Sequence, residues 1–202
     1  MNGQNPATAH AQPAVQAGGL NEQAVTVLLS EYDALKAEQR SRIGFRDQLL
    51  YATLTATAAI AAVTATAGRL ELLLVLPLAG IVLGWTHLHN DHMITAIGRY
   101  VRDRLGPRLQ ALVDGVSDLP MFEWETDGRS DVRRVSRKWL QLAVNLAAFC
   151  VPPLAALIVV WAAGPRTPAV LAVSVLEAAA LAVLAVQITR YAELASVRQV
   201  TR

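Results

Sequence analysis

The sequence predicts an all-α fold: an integral membrane four-helix bundle in which cytoplasmic extensions of the first two spans form a helical stalk. Three observations carry that prediction. Apolar residues make up 53% of the 202-residue chain and its mean hydropathy is +0.35, more apolar surface than one soluble core of this size needs. Charge is almost absent from four windows, residues 48–67, 72–88, 139–164 and 168–189, and crowds the segments between them. Each window approaches the roughly 20 residues a helix needs to cross a bilayer, the second being the shortest. A soluble bundle would alternate polar and apolar faces through these windows, and they do not.

Taken in order, residues 1–20 are rich in Ala, Gln, Gly and Pro and lack the basic start and apolar run of a secretory signal, so a disordered tail is expected. Residues 21–47 should form a cytoplasmic amphipathic helix, opened by Gly18-Gly19 and Asn21, with Val25, Leu28, Tyr32, Leu35 and Gln39 three and four apart. A first transmembrane hairpin follows over residues 48–88, turning at Gly68. Its first span is mostly Ala and Thr, and small residues such as Ala52, Ala56 and Thr64 let helices approach closely. Residues 89–138 form a cytoplasmic helical extension and loop. There Met93, Ile94, Ile97, Tyr100, Val101 and Leu105 recur at helical spacing until Gly106-Pro107, where the helix should stop. This stripe and that of the first extension are natural partners in an antiparallel stalk. A short helix over residues 109–116 should come next, then an extended piece with Leu119, Met121, Phe122 and Trp124, and a turn at Asp127-Gly128. Phe122 and Trp124 should dock on the stalk, dip into the interface or offer a partner surface. Ser130 can cap the helix that becomes span three. The second hairpin, residues 139–190, turns at Gly164-Pro165, and residues 191–202 form a cytoplasmic tail.

Charge gives orientation. Of the eighteen Lys and Arg residues, only Arg69 and Arg166 fall in the two short hairpins. The other sixteen lie before span one, between spans two and three, or after span four. A bias of this size places those segments, and both termini, in the cytoplasm. Trp85, Trp139 and Tyr191 then fall at the cytoplasmic interface and Trp161 at the opposite one, where such rings prefer to sit. The basic run from Arg133 to Lys138 could meet nucleic acid or anionic lipid, but its place beside a span makes it a stop-transfer and orientation signal.

Candidate chemistry is sparse. The segment HLHNDH, His87 to His92, matches the H-x-H-x-D-H pattern of the metallo-β-lactamase superfamily. In that superfamily the histidines sit on a loop beyond a strand, with more ligands far downstream. Here they end a membrane helix, and His10 is the only other histidine. On a helix His87 and Asp91 share one face and His89 and His92 another, which offers two ligands where zinc takes three or four from protein. Interfacial polar residues without a metal are the better expectation. Glu177 lies near the middle of span four, where a carboxylate is costly and marks a functional site by default. As a neutral acid it could donate a hydrogen bond to Thr57, Asn145 or the carbonyls of Ala148 and Phe149, which Pro152-Pro153 leave without amide donors. Two roles stay open for it, interhelical glue or proton and ion handling. The lone cysteine, Cys150, lies inside span three, so no intramolecular disulfide can form. No P-loop, Gly-rich dinucleotide turn or Ser/His/Asp set is present, so no enzymatic activity and no cofactor is expected.

The strings EYDALKAEQRSRIGFRDQLLYATL (residues 31–54), ITAIGRYVRDRLGPRL (94–109), FEWE (122–125) and RRVSRKWLQL (133–142) carry a resemblance. They resemble uncharacterised bacterial integral membrane proteins and, more loosely, the SLATT-type two-span effectors of nucleotide-signalled defence systems. That second resemblance implies membrane perforation on a cytosolic trigger. Two functions are therefore expected as alternatives. The favoured one is a bacterial inner-membrane scaffold or interaction module that binds through its stalk. The other is a regulated pore, transport component or perforating effector that uses Glu177 and the span-one threonines. The stripe Val25, Leu28, Tyr32 and Leu35 leaves apolar area in water unless copies pack together, so a homo-oligomer is expected. The bilayer and a cytosolic protein are the other expected partners, and nucleic acid is not.

Overall fold

The computed structural model describes the backbone of residues 12–113 and 134–197 and the side chains of residues 21–112 and 139–191. The expected extended piece with Phe122 and Trp124, the Ser130 cap and the end of the C-terminal tail lie outside the described residues. Among those described, the chain is all-α. Helix α1 is Gln12–Ala67, a 3₁₀ turn follows at Leu70–Leu74, and α2 is Val75–Tyr100. A π turn at Val101–Leu105 leads into α3, Gly106–Val113. Then come α4, Arg134–Phe149, α5, Val151–Ala163, and α6, Pro168–Val197. Four segments, Asn21–Ala67, Leu70–Leu112, Trp139–Ala163 and Pro168–Tyr191, are long and apolar enough to cross a membrane.

Two compact units divide the chain, the first from residues 1–41 and 94–130, the second from 42–93 and 131–202. In the first, α1 begins at Gln12 and not at Asn21. Gly18 and Gly19 therefore sit inside the helix. Each costs about 1 kcal/mol relative to Ala, which the surrounding Ala, Gln and Val residues make tolerable. Antiparallel pairing of this helix with the end of α2 is fixed at two points. Gln39 Nε2 donates to the Ile94 carbonyl at 3.5 Å, and the Tyr100 hydroxyl donates to Glu31 Oε1 at 2.7 Å. Between and beyond these, buried Ile97, Val101, Leu105 and Leu109 pack against Val25, Leu28, Tyr32 and Leu35.

That core exists because the helix does not stop at Gly106-Pro107. The expected stop is replaced by the π turn, in which the Gly106 amide reaches back to the Val101 carbonyl. A wider turn relieves the clash between a proline ring and the carbonyl four residues earlier, so the helix runs on through Pro107. It also serves packing. Residues four apart in an α-helix drift by about 40° per step. Winding back through one π turn keeps Ile97, Val101, Leu105 and Leu109 on a single stripe. The short helix expected over residues 109–116 is thus α3, beginning at Gly106.

The second unit holds the apolar windows. Gly68 closes the first hairpin at φ 67°, a conformation that suits glycine, with its amide on the Thr64 carbonyl at 3.0 Å. Arg69 and Glu71 pair at 2.7 Å beside it. The following 3₁₀ turn rises about 2.0 Å per residue, more than an α-helix, and so lengthens the shortest apolar window. Phe149, Leu157, Leu181, Leu184 and Ile188 form the core, joined by Leu50, Ile81, Leu88 and Leu146. Outward faces remain apolar, as with Leu54 on α1, Leu78 on α2, Ile158 on α5 and Leu176 on α6, the last 71% exposed. Such surfaces suit hydrocarbon. The third window is not one helix but two, broken at Cys150 (φ −113°, ψ −38°). Pro152 and Pro153 have no amides to continue the ladder, while Cys150 still donates to Leu146 at 2.9 Å and Leu154 to Cys150 at 3.0 Å.

Candidate functional site

Polar groups gather at two places in the second unit. The first surrounds α6. Ser174, Leu181, Leu184 and Ile188 are buried, and Glu177 falls on the same three-and-four spacing, so it points inward, half-buried. Its Oε2 is buried and has no hydrogen-bond partner. The expected partners do not take it. Thr57 donates to the Thr53 carbonyl at 2.8 Å, and Asn145 lies beside the His87 ring. One turn away, Trp161 Nε1 donates to Ser174 Oγ at 2.8 Å, and Ser174 donates on to the Leu171 carbonyl at 3.0 Å. This tie between α5 and α6 was not foreseen, although an indole and a hydroxyl facing each other across a hairpin was a signal that could have been weighed.

Four of the five threonines of span one, Thr53, Thr57, Thr64 and Thr66, turn their hydroxyls to their own helix. Thr53 donates to Leu49 at 2.8 Å, Thr64 to Ile60 at 2.8 Å and Thr66 to Ala62 at 3.1 Å. Each satisfies itself on its own helix.

The second gathering is around the histidines. His87 is 3% exposed, its ring 4.8 Å from that of Phe149 at 44°. Neither ring nitrogen reaches hydrogen-bond geometry with a partner, although Asn145, Asp91 and the Arg46 backbone lie nearby. Asp91 turns to Arg46, at 3.5 Å. His89 is exposed, and His92 meets the Tyr191 ring edge-on at 5.2 Å. His87, Asp91 and His92 therefore go to separate neighbours, and His89 faces outward. No group of three His, Cys, Asp or Glu residues among those described could hold a metal ion. Asn90, buried, ties this region to α1 by donating to the Arg42 carbonyl at 2.7 Å, a residue the sequence reading passed over.

A glycine pair was also missed. Gly80 and Gly84 form a G-x-x-x-G motif on α2. A β-carbon on Gly84 would lie 2.8 Å from Leu184 Cδ2 and 3.1 Å from Phe149 Cβ, so the helices meet there at glycine distance. Of the small residues of span one, Thr64 is buried, whereas Ala52 is exposed and Ala56 half-buried.

No protein family, curated protein or solved structure matches this chain.

Proposed function

We propose that this chain is a non-enzymatic, multi-pass scaffold of the bacterial inner membrane. Both termini lie in the cytoplasm, and the paired helices of the first unit act as a stalk that binds a second copy and, through it, a cytosolic protein. The observation that carries this reading is an asymmetry in burial. Val101, Leu105 and Leu109 are fully buried, whereas Val25, Leu28, Tyr32 and Leu35 across from them stay only partly covered. Val27, 64% exposed, and Leu29 flank that stripe on either side. Two helices leave this apolar area in water, and packing stalks together removes it at about 25 cal/mol per Å².

The test is the oligomeric mass in mild detergent, measured by light scattering and corrected for detergent. Wild type should be a homo-oligomer, and Leu28→Asp with Leu35→Asp should reduce its mass while the protein still inserts in the membrane. A monomeric wild type ends the reading. Topology is tested separately in a Cys150→Ser background. Cysteines at Arg69 and Arg166 should react with impermeant reagent on intact cells, and one at Arg129 should not.

One observation favours the alternative of a pore or perforating effector, the unpartnered inward Oε2 of Glu177. It ranks second because the hydroxyls of Thr53, Thr57, Thr64 and Thr66 are spent on their own backbone. Conductance in liposomes that disappears in Glu177→Gln would reverse the order.

A further inference from the structure

Along α6, two ridges of residues four apart, Ala182-Val186-Arg190 and Val183-Gln187-Tyr191, enclose an open groove of about 500 Å³. The groove changes character along its length. Ala182, Val183 and Val186 give it apolar walls inside the uncharged window, and Gln187, Arg190 and Tyr191 close its end with an amide, a guanidinium and a phenol. From Ala182 to Arg190 is about 12 Å at helical rise, a distance over which a phospholipid passes from acyl chain to phosphate. Arg190 is the first charged residue beyond that window, whose one charged residue is Glu177, and it makes no ion pair with any described carboxylate. None of the described residues that line the groove is acidic. Tyr191 is held in place by the edge of the His92 ring at 5.2 Å and 83°.

We infer that this groove binds an anionic phospholipid, with an acyl chain along Ala182, Val183 and Val186 and the headgroup phosphate on Arg190, Gln187 and Tyr191. The inference rests on the membrane reading above. Among the described residues no carboxylate pairs with this guanidinium, and with the amide and phenol beside it, it offers several donors to one phosphate. A soluble anion would leave the apolar walls uncovered. A second copy seated here would bury Arg190 and bring it no carboxylate from this groove.

The full chain, reconstituted in vesicles of equal parts phosphatidylcholine and phosphatidylglycerol, tests this with spin-labelled lipids. Labelled phosphatidylglycerol should be retained at the protein several-fold over labelled phosphatidylcholine. Arg190→Gln should bring that ratio to one. Val186→Trp, which fills the groove and leaves the charge, should do the same, whereas Arg166→Gln in the second hairpin should leave the ratio unchanged. A wild-type ratio of one, or a preference that survives both groove variants, overturns the site. So does disulfide formation between copies through Val183→Cys in a Cys150→Ser background, which would assign the groove to a second chain. Release of the protein from membranes by alkaline carbonate would overturn the membrane reading and the site with it, an outcome distinct from insertion without lipid preference.

Discussion

Gly80 of α2 lies directly against Pro153 of α5: a β-carbon at Gly80 would stand 2.5 Å from Pro153 Cγ and 3.1 Å from the Phe149 carbonyl oxygen. That carbonyl is one of the two that the prolines leave without a helical amide donor, and glycine brings the α2 backbone close to it. The proline break and the glycine are thus two halves of one contact.

Gly80→Ala should lower the thermal midpoint in detergent, corresponding to about 1–3 kcal/mol, because a proline ring and a backbone carbonyl cannot move aside. Gly84→Ala should cost less, since its nearest neighbour is the far end of the Leu184 side chain. Thermal melts of the two variants side by side check this, and equal midpoints would sink the argument from rigidity.

His87 invites the opposite outcome. It is buried with both nitrogens unpartnered, so an apolar side chain of similar size removes a desolvation cost. His87→Leu should stabilise the protein by about 1 kcal/mol. A destabilised His87→Leu would point to a hydrogen bond made by the imidazole in the folded protein.

Glu177 should be dispensable for the fold. With Oε2 unpartnered, Glu177→Gln should shift stability by less than about 0.5 kcal/mol and leave the oligomeric mass unchanged, within the range of substitutions that break no contact. Glu177→Leu should be no less stable than wild type. Loss of folding in Glu177→Leu, rescued in Glu177→Gln, would instead establish the residue as interhelical glue.

Tyr100 supplies a pH test in the first unit. Its hydrogen bond to Glu31, the largest cause, together with some desolvation and the Glu31 charge, holds the phenol above its ordinary pKa, against a small opposing pull from Arg108 and Arg104. A raised folded pKa means that the bond stabilises the stalk fully below the unfolded phenol pKa, about 10. Its contribution is lost as pH rises through the folded value. Absorbance titration at alkaline pH, with Tyr100→Phe as the reference that isolates this phenol, should show its midpoint falling in Glu31→Gln. An unmoved midpoint would mean the pair is not formed in solution.

The sequence by itself determined what depends on residues close together in the chain. Mean hydropathy over each window located four apolar segments, Gly68 marked the first hairpin, and the spacing of Val25, Leu28, Tyr32 and Leu35 marked the face that meets Ile97 and Val101. Even the preference of helical threonines for their own carbonyls was legible, since the bond spans four residues or fewer. What the sequence could not decide was where distant faces meet. Pro107 looked like a stop because its missing amide is a local fact, yet the helix continues through a π turn that keeps Leu109 in the core with Leu105. Glu177 could be placed at mid-span but not paired, because its neighbours depend on how α6 is rotated. Gly80 looked like any glycine in an apolar run until Pro153, 73 positions later, was brought against it. Hydropathy is a sum along one segment, whereas a packing contact is a product of two faces and their rotation, and only the tertiary structure sets the second.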